Sequence, residues 1–155
     1  MPTAVLATVT GRDRPGVTAA FFAALAAHDV DVRDVEQVVI RDRMVLAVLL
    51  ELQGEVSALR SSVVSAAHAL GVECEVAAAQ DSPAARRSAG RARSHVIVLG
   101  HPLRPGALSS VTQRIADLGG NIEAITQLST EPVSAVELLV STGDEAELRA
   151  ALVQA

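Results

Sequence analysis

The sequence predicts an α+β protein built from two consecutive βαββαβ units, each an antiparallel sheet with its helices on one face, the second unit lacking its last strand. Three observations predict it. Apolar residues alternate with period two in some segments and recur at helical spacing in others. A stretch with Pro, Gly, Ser and Arg and no apolar period, QDSPAARRSAGRARS, divides the chain. The pattern before that stretch returns after it, at an offset of 90 residues.

The first unit spans 1–79. Residues 4–10 alternate as a buried strand, and Val17 to His28 form a helix on which Phe21, Leu25 and His28 share a face. Val30 to Ile40, rich in β-branched residues, is a long strand; Asp42-Arg43 is a tight turn, and Met44 to Leu52 is the hairpin mate. Glu55 to Leu70 is a second helix stopped by Gly71, and Val72 to Ala78 is the last strand. Residues 80–93 form the linker. Its Arg86, Arg87, Arg91 and Arg93 are expected to be solvated and not to bind phosphates.

The second unit spans 94–155. Ser94 to Leu99 is a strand, GHPLRPG a loop, Leu108 to Leu118 a helix, Ile122 to Ser129 a strand, Val133 to Ser141 its mate, and Asp144 onward a helix. The offset superposes Arg14-Pro15-Gly16 on Arg104-Pro105-Gly106, Asp31 on Asn121, Gln37 on Gln127 and Leu49 on Leu139. The sheet order expected for βαββαβ is 4-1-3-2, so a second copy without its last strand leaves one edge of Ser94 to Leu99 unpaired. Either another chain covers that edge or the sequence belongs to a longer protein; the second expectation is preferred.

Composition narrows the function. Half of the 155 residues are hydrophobic and the mean hydropathy is +0.35, yet Phe21 and Phe22 are the only rings, so the core must be aliphatic. Without stacking platforms, and with a net charge of −5, nucleic acid is an unsuitable partner. No apolar run is long enough to span a bilayer and the N-terminus lacks signal-peptide features, so a cytoplasmic protein is expected. A single cysteine, Cys74, excludes an internal disulfide; alternating with Val72 and Val76, it reads as a buried strand residue.

The loop GRDRPGV, residues 11–17, carries the functional signal. Glycine permits close approach, Pro15 fixes the turn, and Gly16 and Val17 open a helix whose free N–H groups and dipole favour a carboxylate or phosphate. Asp13 suits an ammonium group or caps the helix. An α-amino acid carries both complementary charges. The second loop, GHPLRPGA, is one residue longer and has no acid matching Asp13, so its site is weaker or uses Asn121 and Glu123; two unequal sites are expected. A capped helix start with no ligand is the plainer alternative.

TVTGRDRPGV with DVRDVEQVVIRDR resembles the first of two ACT domains at the N-terminus of the longer, regulated phosphoserine phosphatases, and VIVLGHPLRPGALSSV with GGNIEAITQLS resembles the second. The resemblance covers residue 4 to the end. It implies ferredoxin-like units that bind a free amino acid, L-serine first among candidates, in feedback control, and that pair edge to edge into a homodimer. The implied ligand lies between the loop before the first helix of one unit and the second strand of another. That puts Asp13, Arg14, Pro15, Gly16 and Val17 in one wall, with Asp34, Val35, Glu36 and Gln37 as candidates for the other. In the second unit the matching positions are Gly106, Ala107, Asn121 and Gln127.

The chemistry of that family resides in a C-terminal haloacid-dehalogenase-like domain with an aspartyl nucleophile and magnesium, which these residues do not contain. DVDVR, Asp29 to Arg33, is a decoy: it follows a helix and ends in arginine where Thr or Val is needed. His28, Asp29 and Asp31 lack a fourth metal ligand. No catalytic residue, metal site or cofactor is therefore expected in this chain, magnesium belonging to the absent domain. The rival readings are a free-standing two-ACT regulator resembling glycine-cleavage regulators, acting through protein contacts, and a purely structural dimerisation module.

Overall fold

A computed structural model describes residues 2–79 and 91–153, in two compact units divided between Gln80 and Asp81. The first contains β1 (Thr3–Arg12), α1 (Val17–Leu25), β2 (Val30–Ile40), β3 (Arg43–Leu52), α2 (Val56–Ala69) and β4 (Glu73–Ala78). Its four strands lie in the order β2-β3-β1-β4, every pair antiparallel. The second contains β5 (Ala92–Gly100), α3 (Pro105–Asp117), β6 (Asn121–Ser129), β7 (Ser134–Thr142) and α4 (Glu145–Val153), with the order β5-β7-β6. Both are ferredoxin-like, and the second sheet has one strand fewer among the described residues.

Alternation decides which face is buried. In β1, Val5, Ala7 and Val9 are fully buried, and opposite them on β3 lie Leu50, Val48 and Leu46, equally buried. Helix spacing supplies the other side: Val17, Phe21 and Leu25 of α1, and Leu59, Val63 and Ala67 of α2, each set four residues apart on one stripe. The second core is smaller, centred on Val98, Ile115, Leu138, Val140 and Leu148.

Strand β2 does not follow this pattern. It lies at the sheet edge, and ten of its eleven residues are exposed, Val32, Val35, Val38, Val39 and Ile40 among them. A long apolar edge strand is a surface made for pairing.

The repeat extends into irregularities. A bulge falls at Arg33 in β2 and again at Glu123 in β6, 90 residues apart. Each bulge residue enters an ion pair, Arg33 with Glu51 on β3 and Glu123 with Arg93 on β5, both with 2.7 Å hydrogen bonds. The turns after the first helices differ: α1 runs into Ala26-Ala27-His28 with no glycine, whereas α3 ends in a Schellman motif, with Gly119 N–H donating to Ala116 O and Gly120 N–H to Ile115 O.

Several boundaries differ from the sequence reading. Helix α1 ends at Leu25, not His28, because the chain must turn into β2 and His28 N–H bonds Leu25 O. The hairpin turn is Arg41-Asp42, Arg41 taking a φ of 58°, and Arg43 already belongs to β3. Strand β5 starts at Ala92, two residues inside the expected linker, because Arg93 pairs with Ser141 in register. Helix α3 starts at Pro105, a residue suited to a first helical position, not at Leu108. Arg86 and Arg87 lie outside the described residues. Arg91 is committed to the protein, donating to Gly119 O at 2.9 Å.

Candidate functional site

The first loop is fixed from two sides. At the end of β1, Asp13 N–H donates to Asp42 O at 2.8 Å, and the Arg12 guanidinium lies 3.6 Å from the Asp42 carboxylate, so the loop rests against the β2–β3 turn. On the other side the Arg14 guanidinium donates to Leu70 O, at the end of α2. Gly11 lets β1 pass close to this junction: a Cβ there would stand 2.5 Å from Val72 Cγ1.

Gly16 is the N-cap of α1, with φ 91° in the left-handed region, and no side chain caps the helix. The expectation that Asp13 caps it is corrected: Asp13 reaches the β2–β3 turn through its backbone instead. Val17 N–H bends back to Arg14 O at 3.3 Å and Ala20 N–H is the first to find an intrahelical partner, Gly16 O at 2.9 Å. The amides of Thr18 and Ala19 are therefore without an intrahelical acceptor.

Beside them stands a residue that the sequence reading missed. Thr18 Oγ1 donates to Gln37 Oε1 at 2.8 Å and lies 3.7 Å from Met44 Sδ. Gln37 faces Leu46 across the strand pair, so it is on the helix-covered side with Val35, which faces Val48. The structure thus brings Gly16, Thr18 and Gln37 of one unit together. Asp34 and Glu36 are on the other face, facing Leu49 and Ala47, where they line a shallow cavity of about 180 Å³ with Leu6. Asp34 Oδ1 accepts the Val35 N–H at 2.9 Å.

The second loop is built differently. Arg104 is the N-cap, with φ −97° and ψ 147°, and no side chain caps α3 either. Gly106 lies within the helix, so it does not need the left-handed conformation that Gly16 adopts, and Ala107 N–H donates to Arg104 O at 3.0 Å. Leu108 stands where the first unit has Thr18. Deprived of that partner, Gln127 turns along its own strands, its Nε2 donating to Ser129 O at 2.5 Å and lying 3.3 Å from Ala135 O. Asn121 does not join Gly106 and Ala107. It begins β6 just after α3 ends, and a 13-residue helix carries the chain about 20 Å from its start. Glu123, near the same end, is taken by Arg93. Within one unit, Asn121 and Glu123 thus stand apart from Gly106 and Ala107.

The remaining chemistry-bearing residues lie elsewhere. Asp29 to Arg33, the nucleophile decoy, forms the α1–β2 junction and the start of β2, with Asp29 O accepting Gln53 N–H at 3.0 Å. Among the described residues no three His, Cys, Asp or Glu side chains converge. Cys74 is only half-buried, short of the full burial expected, and that burial raises its thiol pKa above the ordinary 9.0. No helix among the described residues is long and apolar enough to cross a membrane.

Comparison with known proteins agrees with this division. Two family models described as ACT domain match, one over residues 3–77 and one over 93–155. A phosphoserine phosphatase of Mycobacterium tuberculosis is 44% identical over 141 residues, which is 88% of this chain and 34% of that protein. A phosphoserine phosphatase of Streptomyces coelicolor is 42% identical over 153 residues, 96% of this chain and 36% of that protein. The chain thus spans about a third of the length of these relatives. A Galdieria sulphuraria protein of unknown function superposes with a TM-score of 0.78 at 21% identity, covering 99% of this chain and 91% of that one. A candidate glycine cleavage system transcriptional repressor superposes at 0.67 with 13% identity, covering 99% and 90%. Likeness at such identities shows the fold alone.

Proposed function

The chain belongs to the ACT-domain family, and we propose on that premise that it is the amino-acid-sensing regulatory module of a phosphoserine phosphatase, with L-serine as its ligand. One observation carries the reading: the uncapped start of α1, where Gly16 in the left-handed region exposes the Thr18 and Ala19 amides beside the Thr18–Gln37 hydrogen bond. Those amides suit the ligand carboxylate, and Gln37 supplies an amide that can donate as well as accept. The exposed Asp13, Asp34 and Glu36 are the acids available to an ammonium group.

The relatives' reaction supports the choice of ligand, since a phosphoserine phosphatase releases serine and a product sensor closes the feedback loop. The exposed β2 edge supports pairing between units, so that Asp34 and Glu36 of one unit or copy meet the loop of another. Pairing of two copies makes a homodimer. Serine then couples to the catalytic part of the longer protein as any effector does, by binding one arrangement better than the other. The phosphatase chemistry and its magnesium belong to that part, and these residues serve regulation in the cytoplasm.

Calorimetric titration of the chain with L-serine, and with glycine, L-alanine and phosphoserine as controls, tests the reading. Saturable heat for serine, absent for the controls, is expected. Silence toward all four from a folded chain overturns it.

A further inference from the structure

We propose that Arg14 is a positioning residue, a latch that fastens the first unit's ligand loop to the junction between α2 and β4, and that it is not itself a wall of the pocket. The inference rests on the amino-acid-sensing reading of that loop and departs from it in the role given to this arginine.

The junction leaves a place for the guanidinium. Helix α2 ends in a Schellman motif, with Gly71 N–H donating to His68 O and Val72 N–H to Ala67 O, both at 3.0 Å. Those bonds use carbonyls one turn back and leave Leu70 O at the negative end of the helix dipole. Arg14 donates to that oxygen across 56 residues of sequence. A charged donor on a helix-terminal carbonyl is a stronger bond than a neutral one. Gly71 takes the left-handed conformation that the motif needs, with φ 70°, and Arg14 Nη2 packs beside it, 3.4 Å from where a Cβ would stand.

The same junction holds the loop a second time through Gly11 and Val72, whose closeness only glycine permits. Moving Arg14 onto a ligand carboxylate would therefore strip Leu70 O of its partner. With the β2–β3 turn gripping Asp13 from the other side, the loop is held ready before any ligand arrives. Preorganisation of this kind lowers the ordering cost of binding. It also gives the site an exit, because tightening the loop tightens the α2–β4 junction, and β4 runs to Ala78, where the segment joining the two units begins. The second unit has no counterpart among the described residues, where nothing follows α4 as β4 follows α2.

Amide hydrogen exchange of the whole chain, wild type against Arg14→Ala and Arg14→Lys, with and without L-serine, tests the latch. Without ligand, Arg14→Ala is expected to speed exchange at Gly71 and Val72 roughly fivefold, and Arg14→Lys, which keeps a charged donor, to recover part of the protection. Serine is expected to slow exchange at these two amides in wild type and not in Arg14→Ala. Unchanged ligand-free exchange in Arg14→Ala overturns the latch, all the more if serine binding is lost, since Arg14 would then touch the ligand directly. A wild-type chain silent to serine overturns the proposed function and with it the transmission, while the ligand-free exchange still decides the latch.

Discussion

Gly16 and Gly106 are superposed by the repeat, yet replacing each by alanine should move stability in opposite directions. Neither glycine has an atom within 4 Å of where a Cβ would stand, so sterics contribute nothing at either position. Backbone conformation alone decides. At Gly16, with φ 91°, an L side chain costs about 1–2 kcal/mol. At Gly106, inside α3, alanine relieves the conformational entropy of glycine and gains about 0.5–1 kcal/mol. The variants should therefore differ by about 2 kcal/mol with opposite signs, or roughly 10 °C in Tm for units of this size. Urea titration at constant m resolves such a gap. Equal destabilisation by both would refute the reasoning, because it would mean that Gly106 is not helical or that the second loop closes around its Cα. Neither glycine is therefore crowded in the free chain. If valine at Gly106 abolishes serine binding, the obstruction is with the ligand itself.

Thr18→Val keeps the shape and removes the hydroxyl bonded to Gln37; at this half-buried position it should cost about 1 kcal/mol of stability and yet weaken serine binding severalfold by titration, whereas Leu108→Thr in the second unit should leave the first site unaffected. Asp144 Oδ1 accepts the N–H groups of Ala146 and Glu147 at 2.8 and 3.2 Å, so Asp144→Ala should lower the stability of the second unit by about 1 kcal/mol, most of which Asp144→Asn retains in the same melt. Burial raises the Cys74 pKa, so the folded chain holds this proton more tightly than the unfolded one; its contribution is complete below pH 9.0, is lost as pH rises through the folded value, and should vanish in Cys74→Ser. Thiol-reactive dyes should accordingly modify Cys74 more slowly in the folded chain than in urea at pH 8.

What the sequence made legible was whatever repeats at short range. The buried faces of β1 and β3 follow from alternation at Val5, Ala7, Val9 and their partners, and the stripes Val17-Phe21-Leu25 and Leu59-Val63-Ala67 follow from helical spacing. The uncertain points were ends. Ala26 and Ala27 are good helix formers, and only the need to enter β2 stops α1 before them. The candidate site was legible as a loop and illegible as a set of contacts. Arg14 meets Leu70 because α2 runs back toward the end of the sheet where β1 ends, and Thr18 meets Gln37 because β2 runs toward that same end. Neither pairing leaves a trace in local composition.

The two units also show what a duplication preserves and what it releases. The bulges at Arg33 and Glu123 keep their register while the charges around them exchange, the cation standing on the bulge in one unit and the anion in the other. Backbone geometry is thus held more tightly than the side chains that decorate it. The loops diverge in the opposite sense, because one added residue in the second lets Arg104 cap its helix in extended conformation, draws Gly106 into the helix, and removes the need for a left-handed residue there. Replacement of Thr18 by Leu108 then frees Gln127 to bond its own strands. Under the proposed sensing function, one preorganised site and one relaxed site are the expected consequence. Gly16→Ala and Gly106→Ala should therefore separate in binding as they do in stability, the first weakening the tighter site and the second leaving it intact.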